Sequence, residues 1–320
     1  IQSKRCYLAE QAPICQGRLR GDFGYVARTQ SGRAVLAGSY RFPSRIHEGT
    51  KDLMTECGRI RTIIPANSVS TVIPGATWSQ LWKSAKETTS SSVSGRHFGH
   101  YIAGASSSLI SQMHALKIEI ALRWGFSLAR WKGGLTCILE KKPGCLLVDK
   151  VRAILLMEAD FNASNGLIYG SRMLEEARRY HLMPEEIFSE RGKTADDGSL
   201  TKVLIYDIIR QARCAAGMGS IDAANCYDSI AHAMASLIFQ AFGVPEQAVD
   251  SMLTTIQEMQ YFLRTAFGDS VDSATSTIQM KYQGLCQGSR AAPAGWAVIS
   301  ITILSSHKRK GHGGHFLCPI

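Results

Sequence analysis

Apolar positions recur at helical spacing over most of this chain. Trp78, Leu81, Trp82 and Ala85 form one stripe, which stops near the polar run Thr88-Thr89-Ser90-Ser91-Ser92. Ile102, Leu109, Ile110, Met113, Ile118 and Leu122 predict an apolar helix over 102–122, and Met173, Ala177 and Tyr180 predict one from about Gly166 to His181. Thr194-Ala195-Asp196-Asp197 has the chemistry of a helix start, with Thr194 as cap and acids in the first turn. The helix that follows carries Leu200, Val203, Leu204, Ile208 and Ala212 on one face and ends before Gly217. Ile230, Met234, Leu237, Ile238 and Ala241 predict another, closed by Gly243-Val244-Pro245. A further stripe runs from Glu246 to about Gln260, and the last passes through Trp296, Val298, Ile299, Ile301 and Leu304.

Strand signals are fewer. Leu135–Leu139 and Val151–Met157 flank the turn residues Lys141-Lys142-Pro143-Gly144 and predict a β-hairpin; the lysines there also suit a solvated edge guarded by charge. Phe262–Phe267 and Thr277–Tyr282 predict a pair across Gly268-Asp269-Ser270. Gly21–Val26 with Gly32–Ala37 predicts a small hairpin or a glycine-punctuated loop. A short apolar segment ending on Asp222 predicts a strand that delivers this acid to the start of a helix. The mixture is an α+β fold.

Composition narrows the picture. The 320 residues can bury a large core in two or more lobes, and 45% hydrophobic with 19% charged residues argues against wholesale disorder. A net charge of +10 suits a polyanionic partner, commonly nucleic acid. The nine cysteines are scattered and odd in number, with no C-x-x-C pair, so they read as reduced, intracellular packing residues. No apolar run approaches the roughly 18 residues of a membrane span. The first residue is Ile and no signal peptide is visible, so the chain is expected to be a piece of something longer.

Four stretches carry candidate chemistry. Asp222 suits a metal-holding carboxylate, although Asp is equally a helix-capping residue. Ser94–Tyr101 brings Arg96, His97 and His100 into one loop; two histidines are too few for a metal, and a loop against a nucleic-acid backbone or a packed loop fits better. Gln283–Pro293 is a glycine-rich loop feeding a helix, suited to close backbone approach to a ligand, and it lacks the P-loop pattern of an ATPase. His307-Lys308-Arg309-Lys310 with His312, His315 and Cys318 reads as a solvated basic loop before a metal site.

Two of these stretches, together with the β-hairpin, resemble the fingers and palm of a reverse transcriptase, most like those of non-LTR retroelements. Ile221-Asp222-Ala223-Ala224-Asn225-Cys226-Tyr227-Asp228 is similar to the first palm motif, an Asp followed by an aromatic and often a second Asp. Gly284-Leu285-Cys286-Gln287-Gly288-Ser289-Arg290-Ala291-Ala292-Pro293 is similar to the second, G-x-P-Q-G-x-x-x-S-P. Lys142-Pro143-Gly144 with Arg152-Ala153-Ile154-Leu155-Leu156 is similar to the fingers hairpin and its R-P-I-S-L strand. Order and spacing agree with the family over roughly residues 95–310. Cys286, Ala292 and Ala153 stand where Pro, Ser and Pro are usual, and no aromatic-x-Asp-Asp follows Pro293.

The resemblance implies a right-hand polymerase arrangement: an N-terminal segment of unknown role to residue 90, fingers over 91–200 and a partial palm over 201–320. It implies RNA-directed DNA synthesis with an RNA template, a DNA primer and dNTP. The cofactor would be two Mg²⁺ ions, or Mn²⁺ in their place, held by Asp222 and the Ala223 carbonyl. Tyr227 would screen the incoming sugar, Gln287 and Gly288 would line the nucleotide site, and Arg152 with Lys141 or Lys142 would meet the triphosphate. Asp228 would be structural. Arg96, His97, Lys308, Arg309 and Lys310 are candidates for the nucleic-acid backbone. Further domains of the same polyprotein, an intracellular ribonucleoprotein setting in nucleus or cytoplasm, and no membrane partner complete the expectation. Two alternatives share the fold: a non-catalytic nucleic-acid-binding remnant, and an RNA-templated RNA polymerase.

Overall fold

The structure, a computed structural model, describes residues 30–89, 92–141, 143–144, 147, 151–187, 192–213, 215–216, 223, 225–265, 267–277 and 282–312. It is a mixed α+β arrangement in which helices dominate. The first, α1 (Gln30–Leu36), packs on α2 (Glu48–Ile63). This corrects the small hairpin predicted over Gly32–Ala37, whose other half lies outside the described residues. Seven residues cannot hold a helix by local preference alone, so burial of Val35 against the core decides the conformation.

Next come α3 (Gly75–Lys83), α4 (Phe98–Gly104) and α5 (Ser108–Trp124). The predicted 102–122 helix is therefore two. Ser107 ends the first run and caps the second, its Oγ accepting from the Ile110 backbone N–H at 3.4 Å. A short 3₁₀ turn, Ala129–Lys132, leads into β1 (Gly133–Glu140) and β2 (Val151–Leu156). These pair antiparallel with Leu135 opposite Leu156 and Leu139 opposite Arg152, the hairpin the sequence predicts.

A continuous helical run follows: α6 (Ala159–Asn165), a π-helical segment Gly166–Met173, and α7 (Leu174–Arg179). It begins earlier than predicted. Then α8 (Ala195–Gln211) starts on a reciprocal cap: Thr194 N–H donates to Asp197 Oδ2 at 2.7 Å, and Asp197 N–H donates to Thr194 Oγ1 at 3.2 Å. The helix is as predicted, but its apolar stripe is not core-facing: Leu200, Val203, Leu204 and Ile208 are all more than half exposed.

The remaining elements are α9 (His232–Ala241), α10 (Glu246–Gln257), β3 (Gln260–Thr265), β4 (Gly268–Asp269) and α11 (Ala292–Arg309). Strand order is β2-β1-β3-β4, with β3 parallel to β1 and antiparallel to β4. The partner of β3 is thus the tight return at Gly268–Asp269, extended by a bridge from Tyr261 to Ala274. Of the predicted partner strand Thr277–Tyr282, residues 278–281 lie outside the described residues. Helices α9 and α10 and the apolar face of α11 form the centre of one core that runs from Val35 to Ile301. Cys57, Cys137, Cys226 and Cys286 carry free thiols; burial pushes the Cys57 thiol up to about 12, so it is inert.

Candidate functional site

The loop between Gln283 and Ala291 ties three separate parts of the chain together. On one side Gly284 N–H donates to Ile230 O and Leu285 N–H donates to Tyr227 O, both at 2.8 Å. Gly284 has φ +87°, and a Cβ there would sit 2.5 Å from Asp228 Cα and 2.8 Å from Tyr227 O. Only glycine lets the two chains approach this closely. On the other side Leu155 N–H in β2 donates to Gln287 O at 2.8 Å. Gly288 has φ +114°, and a Cβ there would overlap the Leu155 carbonyl oxygen.

Helix α6 holds the same loop from a third direction. Asn162 Nδ2 donates to Gly288 O at 3.0 Å, and Arg290 N–H donates to Asn162 Oδ1 at 2.7 Å. The segment 225–230, the β2 strand and the glycine loop therefore meet, each through backbone atoms. Their side chains would not reveal it.

His232, at the start of α9, fixes the loop from below. Its backbone N–H donates to Gln283 Oε1 at 2.7 Å, and its Nε2 lies 2.8 Å from Gly284 O, an atom that only accepts. Nε2 therefore carries the proton, and Nδ1 accepts from Gln257 Nε2 at 2.8 Å. Burial pushes the His232 pKa down to about 4, against the opposing pull of the Gly284 carbonyl. The ring is neutral at pH 7 and serves as a structural peg.

Asp222 and Lys142 lie outside the described residues, as does the strand predicted to deliver Asp222. Ala223 is exposed. Asn225 begins the turn that follows, in the left-handed region at φ +50°, and its carbonyl accepts from Asp228 N–H at 2.9 Å. Tyr227 is half-buried, packed against the core. Gln287 is half-buried and Gly288 exposed. Arg152 and Lys141 are exposed at the outer end of the hairpin. Arg152 stands three residues up β2 from Leu155, roughly 10 Å at strand rise.

The remaining candidates lie elsewhere. Lys308, Arg309 and Lys310 end α11, about 25 Å along the helix from the glycine loop at its other end. They pair with acids there: Arg309 with Glu56 at 3.1 Å, Lys310 with Asp52 at 2.5 Å, and Lys308 with Glu186. His97 caps α4 in a reciprocal arrangement with His100, and Arg96 lies in the same loop. Among the described residues no three His, Cys, Asp or Glu side chains gather as a metal set; His315 and Cys318 are outside them. Asp222 and the Ala223 carbonyl are hard oxygen donors that suit Mg²⁺, but two donors do not fill its octahedral shell.

Sequence reading missed His232, Gln257 and Asn162. Gly284 and Gly288 were read as admitting a ligand to the backbone; among the described residues what they admit is the backbone of Tyr227, Asp228 and Leu155. Cys286 bears on the resemblance too. It is buried at φ +63°, 3.9 Å from the Tyr261 hydroxyl, and proline, locked near −65°, cannot occupy that backbone. No helix is long and apolar enough to cross a membrane, among the described residues. Among known proteins, no family model matches the chain, and no curated protein matches it significantly.

Proposed function

We propose that this chain is the fingers and partial palm of an RNA-directed DNA polymerase. The single observation that supports the reading is the convergence at the glycine loop. Three blocks far apart in sequence, chosen for their resemblance to polymerase motifs, touch through Gly284 and Gly288. Chance similarity of three short stretches gives no reason for them to meet.

In this reading Asp222 and the Ala223 carbonyl hold Mg²⁺, which when bound supplies activation of the primer 3′-hydroxyl and charge neutralisation at the leaving pyrophosphate. Tyr227, packed against the core, blocks the space a 2′-hydroxyl would need. Gln287 and Gly288 form the floor for the incoming nucleotide. Arg152 and Lys141 or Lys142, on the hairpin, reach the triphosphate as charge-assisted donors. The net charge of +10 holds template and primer through phosphate contacts, so binding weakens steeply with salt.

The proposal concerns a longer polypeptide, because the site needs further carboxylates. Within such a polypeptide, Asp222→Ala abolishes Mg²⁺-dependent primer extension on RNA and leaves template binding intact. Undiminished synthesis by that variant would sink the assignment. If the polypeptide binds template and primer but never extends, the non-catalytic remnant is the better account.

A further inference from the structure

Between α3, α4 and α5 lies a cavity of about 700 Å³, separate from the glycine loop. Its size falls in the range of small-ligand sites, roughly 300–1,000 Å³. Trp78, Trp82 and Tyr101 build the inner wall, and exposed Ile110 and Met113 form an apolar lip. The charges around it have one sign. Arg96, Lys117 and Arg130 line it, together with two histidines, and no carboxylate does among the described residues.

The floor is rigid and already spoken for. Arg130 bonds Glu158 at 3.1 Å and also Asp160, Tyr101 OH donates to Glu158 at 3.1 Å, and His114 Nε2 lies 3.0 Å from Asp160. Both acids are fully buried behind the wall. Arg130 is thereby spent on structure, whereas Arg96 and Lys117 make no ion pair among the described residues. The walls also hold Trp78 Nε1, Trp82 Nε1 and Ser111 Oγ buried without a hydrogen-bond partner among the described residues. Such unmatched polar groups are unusual in a packed interior and leave this wall short of acceptors.

A site with cations at the rim, an apolar lip and its two nearby acids buried beneath the floor on Arg130, Tyr101 and His114 suits an anion that carries a flat ring. We propose that this cavity binds a nucleotide, with the phosphate on Arg96 and Lys117 and the base against Ile110 and Met113. Choosing a nucleotide over other ring-bearing anions rests on the nucleic-acid reading above. The nucleotide is either free or one residue of a single strand. Position favours a role beside the glycine loop, since Glu158 and Asp160 under the cavity and Asn162 under the loop belong to the start of one helix, α6.

The test is titration of the whole chain, without Mg²⁺, followed by tryptophan fluorescence and by calorimetry. The probes are uridine and guanosine 5′-monophosphates, the matching nucleosides, inorganic phosphate, and a short single-stranded oligonucleotide. The monophosphates are expected to bind more tightly than either phosphate or nucleoside. Arg96→Glu and Lys117→Glu, both exposed changes, should each weaken them roughly tenfold, and Met113→Ala should weaken nucleotide but not phosphate. Tighter binding of the oligonucleotide than of the monophosphates assigns a strand, and equal or weaker binding assigns a free nucleotide. Phosphate binding as tight as nucleotide, affinities unmoved by both charge reversals, or no binding at all overturns the proposal. Asp222→Ala should not alter these affinities, so loss of polymerase activity and loss of this site are read separately.

Discussion

At Gly284, Cys286 and Gly288 three consecutive left-handed backbone positions are spaced by single residues, and each has a distinct reason. The glycines admit the backbones of Tyr227–Asp228 and Leu155; Cys286 turns the chain between them. Gly284→Ala is expected to cost roughly 2–3 kcal/mol, from left-handed strain and displacement of the Tyr227–Asp228 turn. Urea unfolding would measure it, with Gly268→Ala, at φ +118° where a Cβ meets no neighbour among the described residues, reporting the backbone strain without the displacement. Cys286→Pro should cost about 3 kcal/mol or more. If it is neutral, the loop takes a different path and the family's usual proline fits after all.

His232 gives the same loop a pH dependence. The sign follows from proton binding: unfolded, the ring titrates near 6.5, and folded near 4. Between those values the unfolded chain binds more protons, so this contribution is complete above about pH 6.5 and is lost as pH falls towards 4, roughly 3 kcal/mol in all. His232→Gln should flatten the fall in melting temperature between pH 7 and pH 4.5. An unchanged slope would place the acid sensitivity on other groups.

At the scale of elements, the helices over Gly75–Lys83, Ala195–Gln211 and Glu246–Gln257 and the β1–β2 hairpin were legible because local signals agree: periodicity, the Thr194 cap, and turn residues between apolar runs. The misreadings have physical causes. Helix α1 owes its form to packing on α2, which no local pattern encodes. The break at Ser107 is a capping signal inside an apolar stripe, and the stripe's spacing hid it. For α8 the stripe is real, but periodicity reports that a face exists and not what covers it. The network beneath the cavity is a tertiary feature of the same kind. Burial alone would raise the Asp160 carboxyl, yet the His114 hydrogen bond and the Arg130 charge hold it below the usual carboxylate range. Removing Arg130 as Met leaves Glu158 and Asp160 buried without their arginine partner, held by the donors Ser92, Tyr101, Trp131 and His114, a loss of about 3 kcal/mol in denaturant unfolding. Adding Glu158→Gln and Asp160→Asn should recover part of it.

Over the whole molecule, sequence and structure divide the work unevenly. The α+β class was readable in the residues, and so was a loop at Gly284–Gly288 whose glycines admit close neighbours. What joins the blocks was not, because the joining atoms are backbone carbonyls and amides together with Asn162 and His232, residue types common in any core or cap. The account's central claim concerns what that junction does. Its most direct test is primer extension on an RNA template with Mg²⁺ by the longer polypeptide, native and Asp222→Ala. Extension by the native protein and none by the variant, with equal template binding, is the predicted result. Equal extension by both proteins contradicts the account.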